Sequence, residues 1–261
     1  MNTLEHKIVD VLKTLKNEYG VFEIKAEFEA EGSRMEELMR LKDITSFAGL
    51  PIILKIGGVE AATDVYNALS IGVKGIIAPM AETPFALSKF LNMIKNVVPE
   101  DDAKDIEFAI NLETYTAYQN LDAMLAMPDI KLLSGVTVGR VDLTGSMNLG
   151  RDAINTSPEV YKVCEAFLSV AKKHGLKTGV GGGISKEALP VIAKLTEANL
   201  LDKFETRKVV FSAASFKYGE SAILKAVEFE LLWLKIKREY YLRLKAEDEN
   251  RIIMLEKRLN A

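Results

Sequence analysis

The chain has 261 residues, 48% of them hydrophobic, enough to bury one large core, so a single domain with appendages is the starting expectation. Its 34 Lys and Arg against 37 Asp and Glu leave a net charge of -3, without the basic excess expected of a partner for nucleic acid or an anionic membrane. A single cysteine, Cys164, excludes an intrachain disulfide and any multi-thiolate zinc site.

The opening residues, Met1 to Lys7, carry no signal-peptide-like apolar region, and no stretch reaches membrane-spanning length; a cytoplasmic protein is expected. An amphipathic segment from Leu4 to Tyr19 comes first. Short β-rich runs then alternate with helical runs, each boundary marked by Gly, Pro or Ser, which implies parallel strands. The expected strands are Val21 to Glu27, Ile52 to Ile56, Gly75 to Pro79, Glu107 to Glu113, Leu132 to Gly139, Lys177 to Gly181 and Lys208 to Ser212. Helices are expected to begin near Arg34, Val59, Pro84, Thr116, Ser157, Lys186 and Gly219. Seven strands fit a TIM-type (β/α)8 barrel if one more is hidden; the opening helix leaves little room before Val21, so a first strand is expected to be missing, very short or replaced by another element. From Ala222 to Leu259 there is neither Gly nor Pro, and Val227, Leu231, Leu234, Tyr241, Ile252, Leu255 and Leu259 form an interrupted heptad pattern. A helix this long extends beyond a compact barrel and points to subunit contact. The expected organisation is an N-terminal helix (1–20), an α/β barrel (21–218) and a helical extension for oligomerisation (219–261).

Two acids stand out. Glu113, in Ile110-Asn111-Leu112-Glu113-Thr114, and Asp142, in Gly139-Arg140-Val141-Asp142-Leu143-Thr144, each follow an apolar run and precede a helical one. In a parallel barrel both emerge on the catalytic rim. Two hard oxygen ligands there suit a divalent cation with open positions for substrate. The other reading makes them helix N-caps or first-turn acids favoured by the helix dipole. Cys164, at helical spacing among apolar residues, reads as a core residue, and His6 and His174 are poorly placed for acid–base chemistry.

Together with Ile76-Ile77-Ala78-Pro79-Met80-Ala81-Glu82-Thr83 upstream, these segments resemble, in order and spacing, the HpcH/HpaI aldolase and citrate lyase β-subunit family over Val21 to Ser215. The resemblance implies a modified TIM barrel, often oligomeric through a C-terminal helix, holding Mg2+ or Mn2+ with one Glu and one Asp, here Glu113 and Asp142. It further implies a small 2-oxo acid substrate whose enolate the metal stabilises as a carbon–carbon bond forms or breaks. By the same resemblance Pro79, Met80, Gly139 and Thr144 belong to the substrate-binding rim, as does Lys25.

Departures matter as much. Lys55 stands where the family's aldolases carry an Arg that contacts the oxo acid; an ammonium lacks the guanidinium fork. Its alternative is an ion pair with Glu27 or Glu113. The family's His aligns with Phe28, after the retained acid Glu27, and its partner Asp aligns with Ser70. Proton transfer would then fall to Glu27, Lys25 or metal-bound water. Arg140 is a candidate for binding a substrate anion, or else a surface ion pair. The run Gly179 to Gly183, followed by Ile184 and Ser185, reads either as a phosphate-binding loop or as a tight turn with Ser185 as N-cap. The leading expectation is a metal-dependent carbon–carbon lyase or synthase using Lys55, Glu27 and Arg140. The alternatives are a Schiff-base aldolase acting through Lys25 or Lys55 on a phosphorylated sugar, and a non-catalytic metabolite-binding barrel.

Overall fold

A computed structural model describes residues 1–260. Eight strands close into one barrel: β1 (Val21–Glu27), β2 (Ile52–Lys55), β3 (Gly75–Ala78), β4 (Glu107–Leu112), β5 (Gly135–Gly139), β6 (Lys177–Gly181), β7 (Lys203–Glu205) and β8 (Val209–Ser212). The helices are α1 (Thr3–Tyr19), α2 (Met35–Ala48), α3 (Ala62–Ile71), α4 (Pro84–Val97), α5 (Glu100–Asp105), α6 (Tyr115–Gln119), α7 (Leu121–Leu125), α8 (Arg140–Ser146), α9 (Pro158–Lys173), α10 (Leu189–Glu197) and α11 (Gly219–Leu259).

The barrel matches the expected fold class, but its eighth strand lies elsewhere than anticipated. Strands β1 to β7 run parallel, and β8 runs antiparallel to both of its neighbours, β7 and β1. The hidden strand is β7, three residues with a single apolar member, Phe204, turned to the outer core. It escaped the sequence reading because one apolar residue makes no periodic signal. The run Lys208 to Ser212 is therefore the return arm of a hairpin and not the last parallel strand. Thr206, Arg207 and Lys208 form its loop, closed by the Thr206 N–H on the Val209 carbonyl at 3.0 Å. A reversed strand thus occupies the place next to β1 where a first parallel strand would stand.

That reversal decides where the last helix starts. Chain direction along β8 returns it to the N-terminal end of the barrel, where Tyr218 meets Tyr19 edge-on at 5.7 Å. From there α11 climbs along α1, burying Ala222, Ile223, Ala226, Phe229, Trp233 and Ile236. Its 41 residues span about 60 Å at 1.5 Å per residue, well past the barrel. The chain enters α1 through a capping box between Asn2 and Glu5 and leaves it through Gly20, whose φ of 68° is left-handed and open to glycine at little cost.

Alternation along the strands sorts the side chains. On β1, Ile24 and Ala26 face the helices, whereas Glu23, Lys25 and Glu27 face the lumen, all buried. Lumen hydrophobes are few: Ile53, Ile77 and Val210, with Ala109 against them, form a small plug apart from the main core. Long charged side chains fill much of the remainder. No helix among the described residues is long and apolar enough to cross a membrane.

Candidate active site

Because β1 to β7 are parallel, their C-terminal ends share one rim, and there a cavity of about 500 Å3 opens. Its lining includes Lys25, Glu27, Lys55, Glu113, Gly139 and Asp142 from the sequence-derived set. Glu113 follows β4 and is buried. It is not an N-cap: Thr114 next to it caps α6 through its hydroxyl. Glu113 Oε1 accepts the Met80 N–H at 3.2 Å and lies 3.4 Å from the Lys55 ammonium, while Oε2 accepts from Asn111 Nδ2 at 3.3 Å. Burial pushes its carboxyl above the ordinary range, Lys55 and the Met80 N–H pull against this, and the negative charge of Asp142 pushes it further up. Asp142 sits in the first turn of α8, exposed at the mouth, and its carboxylate forms no ion pair among the described residues.

Two carboxylates on one cavity, one of them unpaired and one destabilised by burial, suit a hard divalent cation that takes its other ligands from substrate and water. Among the described residues no group of three or more His, Cys, Asp or Glu is placed to hold a metal ion. Gly139 belongs to the same construction. A Cβ there would stand 2.8 Å from the Glu113 Cβ, so the missing side chain is what lets Glu113 lie across β5. Met80 holds a left-handed φ of 49°, at a cost of about 1–2 kcal/mol for a side-chain-bearing residue, and spends it aiming its N–H at Glu113.

Both lysines are ion-paired, Lys55 with Glu113 as the alternative reading had it. Lys55 bonds Glu29 at 2.7 Å as well as Glu113, and not Glu27. Lys25 lies 2.8 Å from Glu205 and 3.4 Å from Glu27. For both, burial works against the charge, but the flanking carboxylates, Glu205 and Glu27 for Lys25 and Glu113 and Glu29 for Lys55, hold the ammonium above the usual lysine range. The same contact keeps Glu205 below the carboxylate range despite burial. Glu205 and Arg207 at the mouth were missed because both depend on recognising β7; the inward-outward-inward order Lys203, Phe204, Glu205 was the only local signal.

Three expected site residues, Arg140, Thr144 and Pro79, lie outside the cavity lining. Arg140, 1% exposed, turns away from the mouth cavity and behind the glycine run: Nη2 donates to the Gly182 and Gly183 carbonyls at 2.8 and 3.4 Å, Nε to Gly181 at 3.4 Å and Nη1 to Asn155 at 2.9 Å. It forms no surface ion pair among the described residues and does not line the mouth cavity. Thr144 is buried, with its hydroxyl donated to the Arg140 carbonyl at 2.6 Å, and it faces a neighbouring cleft. Pro79 is buried outside the cavity lining. Ser185 forms no cap; its hydroxyl bonds Glu187. Phe28 packs on the core and Ser70 bonds the Tyr66 carbonyl of its own helix, so neither supplies acid–base chemistry to this mouth. Burial pushes the Cys164 thiol up to about 12, as suits a core residue.

Citrate synthase SbnG superposes with a TM-score of 0.62 at 15% identity, over 89% of this chain and 90% of that one. An HpcH/HpaI aldolase/citrate lyase family protein from Burkholderia cenocepacia J2315 gives 0.60 at 16% identity, over 90% and 100% of the two chains. The HpcH/HpaI aldolase from Desulfitobacterium hafniense DCB-2 gives 0.59 at 16%, over 85% and 88%. At such identities these likenesses speak to the fold. No curated protein matches the sequence. The profile of the HpcH/HpaI aldolase/citrate lyase family matches residues 47–180, just over half of the chain and inclusive of both Glu113 and Asp142; the chain belongs to that family.

Proposed function

We propose that this protein is a divalent-metal-dependent carbon–carbon lyase or aldolase, acting in either direction on a 2-oxo acid. The observation that carries the reading is the pair Glu113 and Asp142 on one rim cavity, the second without an in-chain partner. Mg2+ or Mn2+ held by these two carboxylates would supply Lewis acidity, drawing electron density from a 2-oxo acid's carbonyl and favouring the enolate side of the bond change. The chain's own groups do the rest. Lys55, kept cationic beside Glu113, offers positive charge to the oxo acid in place of an Arg. Glu27, on the same cavity and 3.4 Å from Lys25, would pass the proton, with the buried Lys25 and Glu205 behind it. The Schiff-base alternative is disfavoured because attack on a carbonyl needs a neutral amine, and both lysines are held as ammonium.

The test needs no knowledge of the acceptor. Incubated with pyruvate and Mn2+ in heavy water, the protein should exchange the methyl protons of pyruvate, followed by proton NMR, and chelation should stop the exchange. Exchange that persists in excess chelator, or none above background with any divalent ion, would reject the reading.

We further propose that a second copy of the chain packs on α11. Leu224, Val227, Leu231 and Leu234, each at least half exposed, follow helical spacing along the side of α11 that α1 does not cover. Replacing Leu231 and Leu234 together by Glu is expected to at least halve the mass seen by sedimentation equilibrium; an unchanged mass would place the contact elsewhere.

A further inference from the structure

The glycine run raised two readings, a turn or an anion seat, and the position of Arg140 bears directly on the choice. In a trans peptide the C=O and N–H point in opposite directions. The carbonyls of Gly181, Gly182 and Gly183 all point back to the one guanidinium, so the N–H groups of Gly182, Gly183 and Ile184 point the other way. Those three residues line the rim cavity, and among the described residues none of the three N–H groups finds a protein acceptor. Glycine is required at both positions. Gly182 and Gly183 have φ of 76° and 63°, and a Cβ would meet the Val141 nitrogen at 2.8 Å or Ile154 Cγ2 at 3.0 Å.

A second observation in the same cavity points to an occupant. Asn111 Oδ1, Thr137 Oγ1 and Glu205 Oε2 are buried, lie on side chains at most 5% exposed, and have no hydrogen-bond partner. Two of the three are pure acceptors, which calls for hydroxyl or water donors between the glycine loop and Glu113. The cavity also holds Arg151, without an ion pair among the described residues, and Arg207, whose contacts to Glu31 and Glu230 are loose at 4.0 and 3.9 Å. Four of its carboxylates share two ammonium groups, Glu27 and Glu205 flanking Lys25 and Glu29 and Glu113 flanking Lys55, so Arg151 and Arg207 are the cations of the lining left for an anion.

We propose that the backbone N–H groups of Gly182, Gly183 and Ile184, set by Arg140 behind them, seat the phosphoryl group of a hydroxylated substrate whose other end reaches Glu113 and Asp142. Three N–H donors in a row match the three terminal oxygens of a phosphoryl group, one more than a carboxylate offers, and the loop follows a late barrel strand, where this architecture commonly binds phosphate. The choice of substrate class rests on the lyase reading; the anion seat itself does not.

The test is an amide NMR titration of the deuterated full chain, in chelator, with inorganic phosphate and separately with succinate. Phosphate should move the Gly182, Gly183 and Ile184 signals saturably, at least fivefold more tightly than succinate, and Arg140→Met should weaken it at least fivefold. The wild-type titration decides the matter even if that variant does not fold. Absence of saturable shifts at these amides, or tighter saturation by succinate, overturns the proposal. A parallel Mn2+ titration separates the two ideas: phosphate binding without Mn2+ binding supports this seat and removes the lyase reading, and Mn2+ binding without phosphate binding does the reverse.

Discussion

Replacing Asp142 with alanine is expected to lower Mn2+ affinity by at least about 100-fold, and pyruvate proton exchange with it, while leaving the fold intact. Losses of 10- to 100-fold are usual for residues that only support a ligand, so a direct ligand should lose no less. Stability should barely change, since the Asp142 side chain is exposed and without an ion pair. Glu113→Gln should lose the metal equally and behave differently in its pH dependence. The Glu113 carboxyl is raised, first by burial, so its neutral form is the one the fold prefers. Its contribution to metal-free stability is therefore full below the ordinary carboxylate value of 4.5 and is lost as pH rises through the raised value. Metal affinity runs the opposite way, gaining across that same window as the proton leaves. The check is calorimetric titration of Mn2+ against wild type and both variants from pH 5 to 8. An Asp142→Ala protein that binds Mn2+ as tightly as wild type would remove this residue from the ligand set.

Lys25→Met should cost about 3–5 kcal/mol of folding stability, the usual penalty for deleting one partner of a buried ion pair and leaving the other uncompensated. Here two acids are stranded, because Lys25 is the ammonium between Glu27 and Glu205 and the Lys25 side chain is only 9% exposed. The physical origin is desolvation: burial of Glu205, 2% exposed, pushes its carboxyl up, and Lys25 first, then Lys203 and Lys55, hold it below the ordinary carboxylate range. Adding Glu205→Gln to Lys25→Met should return a substantial part of the loss, since it removes one stranded charge. Urea denaturation of the single and double variants measures both numbers. A single-variant loss below about 1 kcal/mol would mean that water reaches the lumen freely and the pair is no more than a surface contact.

The elements that local chemistry specifies were legible without coordinates. Six parallel strands could be read because both of their ends are punctuated and most of their residues are buried, the inward-facing polar ones included. Glu113 and Asp142 could be placed on one rim because strand direction alone settles which end of a strand a residue occupies. The resemblance of the segments around them to one enzyme family came from those same ends. The length of α11 followed from a stretch free of Gly and Pro.

What the sequence could not decide was everything that depends on which strand lies next to which. Barrel closure by a reversed β8, and with it the starting point of α11, is a choice between hydrogen-bonding partners 180 residues or more apart, such as Ile24 and Val209, and three-residue β7 carries too little periodicity to announce it. Pairing decides charge as well: Lys25 meets Glu205 because β7 and β8 bring that acid round to β1, so residues legible only as scattered acids and bases become a connected network of ion pairs in the lumen. Arg140 shows the same limit at one residue. Its position at the rim is local, but its guanidinium turns outward because three carbonyls of the next loop stand there to receive it, and only packed neighbours supply those. Local sequence sets the direction and periodicity of each segment through short-range sterics and hydrophobic spacing, whereas partners distant in the chain are selected by the joint free energy of the closed barrel.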